Sequence, residues 1–492
     1  MITKTEQNEI QDYLKDASNT KGYCDAVVYP ENTDDVVSII KQANSEKTKI
    51  TVCGNRTGLA GGSVPGGGIV LSTEKMNRIL EINEEEQFAI VEPGVLLSDF
   101  LKELKTKKLY YPPDPTELNC FLGGTVATNA SGSKTFKYGP TRDFVIGIEI
   151  VLPTGDLLAI NREEIFARKN QISFTTVNGN NIQLKIPLVK SLPTKNTAGY
   201  FCREGMDAID LFIGSEGTLG IITRLKLKLL IAPQMVLSAV IFFNSEDDGL
   251  NFVEETRSES YKTRKNKLPA SIDALSIEFF DKFALDFLRA DFPNIPPYAE
   301  SAVWFEQEMD EESSNPITDL WINLIEKHNS DLSRSWIAMN EKDKTQFVEF
   351  RHRISAKVNE FISSRNFRKL GTDFAVPDQE LKKFYFQLKN DVEKAGLDYV
   401  IYGHFGNSHI HLNMLPKNPE EFEKAKKLYN SMCLSAIKSG GTFAAEHGVG
   451  KNKKALLYEM YDEQVMDEMF RIKQTLDPNL ILCRGNIFKT EN

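Results

Sequence analysis

Three glycine-rich stretches, Gly54 to Gly68, Gly123 to Gly139 and Gly214 to Gly220, fall within the first 230 residues, each flanked by β-rich sequence. The first, CysGlyAsnArgThrGlyLeuAlaGlyGly (Cys53 to Gly62), follows a strand; its glycines let backbone N–H groups approach anionic oxygens, and Arg56 adds positive charge. What comes next restricts the fold. SerValProGlyGlyGly leads into another strand, IleValLeuSer, where a dinucleotide fold or a Walker loop would open into a helix, and no GlyLysSer or GlyLysThr closes the loop. Both common nucleotide motifs are therefore absent. ProProAspPro (Pro112 to Pro115) with LeuGlyGlyThrValAlaThrAsnAlaSerGly (Leu122 to Gly132) and LysTyrGly (Lys137 to Gly139) forms a second candidate loop, and GlySerGluGlyThrLeuGlyIleIleThr (Gly214 to Thr223) a third. A single loop of this kind is weak evidence; the competing reading, a flexible turn, would need many fewer glycines. Three in one domain imply a long cofactor that bears phosphate.

Histidine is rare and clustered. Only six occur in 492 residues, and four lie between 404 and 447, in GlyHisPheGlyAsnSerHisIleHisLeuAsn (Gly403 to Asn413) and AlaAlaGluHisGlyValGly (Ala444 to Gly450). Neutral imidazole with carboxylate is the usual ligand set of a divalent transition metal. The first segment reads as a turn between strands at 398–402 and 409–415, so His409, His411 and Asn413 share one face, and His404 can fold back toward it. Glu446 and His447 come from a separate loop. Satisfied core histidines are the competing reading.

A net charge of −10 argues against nucleic acid as a partner, since neutralising phosphates needs a basic face. With 41% hydrophobic and 26% charged residues the chain reads as two or three globular domains. The six cysteines are scattered without CxxC or iron–sulfur spacing, and no apolar run approaches the roughly 18 residues of a membrane span. A reduced, cytoplasmic chain follows, with peripheral membrane contact allowed.

Residues 26–52 read as strand, helix and strand, with Asn32 or Thr33 as the helix cap, and open a domain that runs to residue 230. Residues 157–200 read as a polar hairpin or extended insertion turning at AsnGly, with no function legible in it. From Met235 the pattern becomes strands at 236–243, 275–280, 301–307, 333–339 and 368–376, with helices after Ser245 and near 314–329, 341–364 and 378–395. This predicts an α+β domain with an antiparallel sheet and helices on one face.

The ordered motifs GNRTGLAGGSVP, PPDP, LGGTVATNASG, KYGPTRD, GSEGTLGIIT, GHFGNSHIHLN and AAEHGVGK resemble, over most of the chain, the FAD-linked 2-hydroxyacid dehydrogenases of the vanillyl-alcohol oxidase superfamily. That group includes D-lactate and D-2-hydroxyglutarate dehydrogenases and the flavin subunit of glycolate oxidase. The resemblance implies an α+β chain: a split FAD-binding domain, residues 1–230 with the returning segment 441–492, around a ferredoxin-like cap at 231–440 that carries the metal-site strands. FAD pyrophosphate contacts carry over to Gly54, Asn55, Arg56, Thr57, Gly58 and Gly61. Flavin contacts carry over to Pro113, Asp114, Gly123, Gly124, Thr128, Asn129, Gly132, Glu216, Gly220 and Ile222, and to Asn486, which stands in CysArgGlyAsn where the family has AsnProGlyLys. A divalent metal, zinc by preference, falls to His404, His411 and Glu446, and the catalytic base to His447. Arg351 would grip the substrate carboxylate, with Ser355 and Asn413 on the substrate side.

The chemistry so implied is metal-assisted deprotonation of a D-2-hydroxy acid, hydride transfer to FAD, and passage of electrons to an external acceptor, a quinone or an electron-transfer flavoprotein. A homodimer is compatible with the family. Two departures bear on this. GlyHisLeuGlyAspGlyAsn becomes GlyHisPheGlyAsnSerHis, so His409 either replaces an Asn, joins the metal or supports the site from behind, the last being preferred. A lysine of the hydroxyglutarate enzymes is replaced by Gly371, which weakens the case for a second carboxylate and favours a small monocarboxylate such as D-lactate, with D-2-hydroxyglutarate or glycolate as alternatives. Rival readings are a non-redox flavoenzyme like alkylglycerone-phosphate synthase, which expects a more histidine-rich loop than AAEHGVG, and a non-catalytic flavin- or metal-binding protein.

Overall fold

The computed structural model describes residues 2–328 and 330–489, so the termini and Asn329, where the sequence places a helix end, lie outside the described residues. Strands β1 (Ile2–Lys4), β2 (Ala26–Tyr29), β3 (Ile50–Cys53) and β4 (Ile69–Ser72) form a sheet in the order β1-β2-β4-β3. Between β2 and β3 runs helix α1 (Thr33–Glu46), capped by Asn32, whose side chain accepts the Asp35 N–H at 3.0 Å. Its buried residues Val36, Ile39, Ile40 and Ala43 repeat at helical spacing and form the face packed on the sheet. Because β3 and β4 pair in parallel, the first glycine loop spans the sheet's end between them, with no helix after it.

A second sheet, all antiparallel, joins β5 (Ile79–Asn83), β6 (Phe88–Val91), β7 (Val145–Val151), β8 (Leu157–Asn161) and β9 (Ile221–Lys228) in the order β5-β6-β9-β7-β8. The second glycine loop contains helix α2 (Leu122–Thr128), and the third enters β9. Residues 157–200 divide. The first strand of the segment is part of the main sheet, and a hairpin follows, Gln171–Thr175 against Asn181–Lys185, turning through Asn178 and Gly179 with Gly179 at φ +86°. The remainder runs to the C-terminal segment, where Thr197 N–H donates to Ala444 O at 2.8 Å.

The cap is a seven-stranded antiparallel sheet of β10 (Met235–Phe243), β11 (Ser276–Asp281), β12 (Ser301–Met309), β13 (Trp336–Ile337), β14 (Phe374–Ala375), β15 (Tyr399–Gly403) and β16 (His409–Met414), ordered β13-β10-β12-β11-β15-β16-β14. Helices cover both faces, not one. Phe252 of α3 (Glu246–Asn266), Trp321 of α4 (Ser314–Lys327) and Phe384 of α6 (Leu381–Lys394) share a core with Ile241, Phe279 and Phe305. Phe350 and Ile354 of α5 (Glu341–Ser363) share another with Val240, Phe280 and Trp304. The sequence reason is that β10 to β12 are near-continuous buried runs in which even Ser276, Glu278 and Asp281 of β11 are out of water, so both faces need cover. The strand expected at 368–376 is short, Phe374–Ala375, and beside it the Leu412 N–H is bound at 2.7 Å by Thr372 Oγ1, which also donates to Leu412 O at 3.0 Å.

After β16 come α7 (Pro419–Lys438) and α8 (Glu463–Leu476), and residues 481–483 then lie beside β3. Ile50 N–H donates to Ile481 O at 2.8 Å and Cys483 N–H to Ile50 O at 2.7 Å. A buried cation fixes this return: Lys473 pairs with Asp477 and donates to Thr218 O at 2.7 Å and Leu482 O at 2.9 Å. Lys473→Met leaves Asp477 unpaired in a dry interior and should destabilise the fold by roughly 3–5 kcal/mol. Thermal or urea unfolding of the variant checks this; an unchanged midpoint would show that the pair is dispensable.

Candidate active site

A cavity of about 290 Å³ opens where the three glycine loops meet, and His447 and Glu446 close one end of it. Of the residues expected to hold the cofactor, Gly54, Asn55, Arg56, Thr57, Gly58, Gly123, Gly124, Thr128, Glu216, Gly220 and Ile222 line this space. Gly61, Pro113, Asp114, Asn129, Gly132 and Asn486 do not line it. Asp114 accepts from Ser133 Oγ at 2.8 Å and Lys134 N–H at 3.1 Å, Asn129 Oδ1 accepts from Arg142 N–H at 2.9 Å, and Asn486 Nδ2 donates to Gly62 O at 2.8 Å. Gly132 packs so close that a Cβ would lie 2.1 Å from Asp114 O. Glu216 has a structural task as well. Its buried carboxylate accepts the N–H groups of Val449 and Gly450, both at 2.7 Å, and so locks the third glycine loop to the loop carrying Glu446 and His447.

The β15–β16 hairpin and the 444–450 loop bring four donor side chains together. One ligand atom from each of His404, His409, His411 and Glu446 lies within 4.8 Å of the others, and Asp373, His411 and His447 make a second such group. His404 Nδ1 is 2.6 Å from Glu278 Oε1 and His411 Nδ1 is 3.0 Å from Thr372 O. Those acceptors hold each ring's Nδ1–H and direct Nε2 inward, the arrangement that prepares an imidazole for a metal. His404 Nε2 is 3.3 Å from Glu446 Oε1. Desolvation disfavours a charged His404, but Glu278 and Glu446 outweigh it and raise its pKa. A proton and a metal ion are alternatives for that one lone pair. Burial, aided by the neighbouring histidines, holds His411 well below the ordinary range, so its ring is neutral. Glu446 is ionised: desolvation opposes its charge, yet His404 and Lys195 bring it well below the usual carboxylate range.

His447 stacks on His411 with centroids 5.5 Å apart and planes 12° from parallel. Its backbone N–H donates to Asp373 Oδ2 at 2.9 Å, and burial pushes its imidazole down to about 4, so the ring is neutral at pH 7. Arg351, on α5, donates through Nε to Glu278 Oε2 at 2.5 Å, while its Nη1 is buried without a hydrogen-bond partner. Asn413 Nδ2, on β16, is likewise buried and unpartnered. Ser355, one turn beyond Arg351, lies 3.0 Å from the Tyr402 hydroxyl.

Four residues that the motifs did not single out complete the site. Glu278 bridges Arg351 and His404, and desolvation of its carboxylate is outweighed by those two cations, which hold it down at about 2. Asp373 and Lys453 pair at 2.9 Å beneath His447, and Lys195 pairs with Glu446 beside Ser131 Oγ at 3.1 Å. A lone acid inside the apolar strand LeuSerIleGluPhePhe was a readable sign for Glu278, because a buried carboxylate requires partners. Lys195 gave no such sign.

Residues 24–161 match the family model of the FAD binding domain, and residues 232–487 that of the FAD linked oxidases, C-terminal domain. The glycolate oxidase subunit GlcD of Bacillus subtilis (strain 168) is 28% identical over 470 residues, covering 94% of this chain and 89% of its own. The D-lactate dehydrogenase of Anaerostipes hadrus is 28% identical over 472 residues with the same coverage. The D-2-hydroxyglutarate dehydrogenase of Stutzerimonas stutzeri (strain A1501) is 27% identical over 483 residues, covering 94% of this chain and 90% of its own. Among solved structures, p-cresol methylhydroxylase with substrate bound superposes with a TM-score of 0.70 at 19% identity, over 99% of this chain and 93% of that one. Alkyldihydroxyacetonephosphate synthase superposes at 0.67 and 16% identity, over 98% and 81%. These two likenesses show a shared fold.

Glu216→Gln replaces one acceptor oxygen by an amide donor facing a backbone N–H. It should cost about 1–3 kcal/mol and loosen the 444–450 loop. Thermal unfolding and flavin retained on gel filtration measure it; wild-type values for both would mean that the loop is held by other contacts.

Proposed function

This chain belongs to the FAD-linked oxidases, and on that premise we propose that it is a FAD-dependent dehydrogenase that oxidises a D-2-hydroxy acid, D-lactate foremost, to the 2-oxo acid with the help of a divalent metal, zinc by preference. The observation that carries this reading is the pair of buried, unpartnered donors, Arg351 Nη1 and Asn413 Nδ2, in the same site as the His404, His411 and Glu446 donors and the neutral His447. Two inward donors without acceptors suit a carboxylate, which Arg holds with fixed geometry. FAD, when bound along the glycine loops, supplies the acceptor for the hydride. A divalent ion on His404, His411 and Glu446, a donor chemistry that suits zinc, supplies Lewis acidity toward the substrate hydroxyl.

The protein's own groups then have separable tasks. Arg351 and Asn413 bind the carboxylate and fix which face of C2 is presented to the flavin. His447 takes the hydroxyl proton, and Asp373, through the His447 N–H, holds its backbone in place. We assign reoxidation to an external acceptor, a quinone or an electron-transfer flavoprotein. No helix among the described residues is long and apolar enough to cross a membrane, and a cytoplasmic location with peripheral contact fits that acceptor.

One observation favours a second reading, a substrate with a second carboxylate. Lys369 folds its stem over Gly371, with Cε 3.1 Å from where a Cβ on Gly371 would sit and Asn413 Oδ1 3.6 Å from the same point. Desolvation pushes this amine down to about 8. A dianionic substrate such as D-2-hydroxyglutarate would give it a partner.

The test is anaerobic addition of D-lactate, L-lactate, glycolate and D-2-hydroxyglutarate to the purified flavoprotein, with and without chelator, while the flavin's visible absorbance is followed. Rapid, chelator-sensitive bleaching by one acid is expected, and His447→Ala should keep its FAD and lose the bleaching. A yellow protein that no acid bleaches would transfer the weight to a non-redox or purely binding role. Lys369→Met should leave D-lactate oxidation unchanged; if D-2-hydroxyglutarate is the substrate, it should instead raise the KM for that acid roughly tenfold or more.

A further inference from the structure

We propose that His409 is a fourth protein ligand of the metal, so that this chain holds its ion with three imidazoles and one carboxylate. The inference rests on the metal-assisted reading above and adds a residue to it. His409 is fully buried on β16, two residues from His411 on the same face, with ring centroids 4.3 Å apart, and 5.3 Å from the His404 ring.

Its tautomer follows from its neighbour. Nε2 lies 3.1 Å from Asp373 Oδ1, and that carboxylate acts as an acceptor throughout, taking the Glu446 N–H on the same oxygen at 3.1 Å and the His447 N–H and Lys453 Nζ on the other at 2.9 Å. The ring proton therefore sits on Nε2, and the lone pair on Nδ1 points the other way, 3.6 Å from Glu446 Oε1. This Nδ1 is buried and has no hydrogen-bond partner. Buried polar atoms are rarely left so, and an acceptor nitrogen aimed at a carboxylate between two other inward-facing imidazoles suits a cation in that space.

The same logic prepares all three rings. Glu278 holds His404 Nδ1–H, Thr372 O holds His411 Nδ1–H, and Asp373 holds His409 Nε2–H, so each ring offers its remaining nitrogen to the common space with Glu446. Three imidazoles with one carboxylate are nitrogen and oxygen donors of the kind zinc takes, and zinc's ability to expand to five ligands would leave room for the substrate hydroxyl. Lys195 shares Glu446 and also donates to Gly132 O at 3.3 Å, which orients the carboxylate from outside the histidine cluster.

X-ray absorption at the zinc edge of the zinc-loaded, FAD-bound enzyme counts the imidazoles directly, without any substitution. Three are expected. His409→Asn should show two and should lose affinity for zinc, measured by competition with a chromophoric chelator, by at least the roughly 10- to 100-fold seen when a ligand's supporting partner is removed. Two imidazoles in the wild type, or equal zinc affinity in the variant, would overturn this assignment and leave the metal-assisted reading standing. A wild-type protein that retains no zinc under these conditions would overturn both.

Discussion

The carboxylate of Asp373, fully buried, is the point on which the site depends. Its Oδ1 accepts from His409 Nε2 and from Glu446 N–H, each at 3.1 Å, and its Oδ2 from His447 N–H and Lys453 Nζ, each at 2.9 Å. Four donors from three places in the chain therefore converge on one residue next to the short strand β14. Taking an ion out of water costs several kcal/mol, and the Lys453 ammonium with the three N–H groups is what offsets it here. The loop carrying Glu446 and His447 is not held by its own secondary structure. It is hung on Asp373 from one side and on Glu216 from the other, and both hold it through backbone N–H groups.

Glu278 repeats the device at the opposite wall. One of its oxygens takes His404 Nδ1 and the other takes Arg351 Nε, so an imidazole of the histidine cluster and a buried guanidinium share one anchor. A shift of either partner is felt by the other through a carboxylate with no exposed surface to relax into. The fixed charges around this centre also balance. Glu278, Asp373 and Glu446 are paired respectively with Arg351, Lys453 and Lys195. With three anions matched by three cations, no carboxylate of this buried cluster is left without a charged partner.

Local signals carried most of what the sequence disclosed. The glycine loops, the capped helix after Asn32, the hairpin that turns at Asn178 and Gly179, and the alternation that aligns His409 with His411 are all set within a few residues. The groups that escaped notice act over long separations: Lys195 meets Glu446 251 positions away, Glu278 meets His404 126 away, and Asp373 meets Glu446 73 away. A charged residue inside a polar insertion carries no mark of the anion it will reach after folding. The second layer of helices on the cap was legible in principle, since ValLeuSerAlaValIlePhePhe has too few polar positions to face water, but a count of helices alone does not say which face each covers.

Gly371 shows why reading specificity from one aligned position is unsafe. Taken alone, the loss of a lysine side chain there removes a cation from the substrate side of the site. In the folded protein Gly371 pairs with Asn413 across the sheet, and a side chain at 371 would press on the stem of Lys369 and lie beside the Asn413 amide. Residues two apart in an extended segment point the same way, so a lysine at 369 reaches the face that a lysine at 371 would occupy. The glycine is thus what makes room for Lys369 to lie across the strand. The charge at this face is set by the pair of positions acting together, and Gly371 decides the path of the cation without deciding whether one is present.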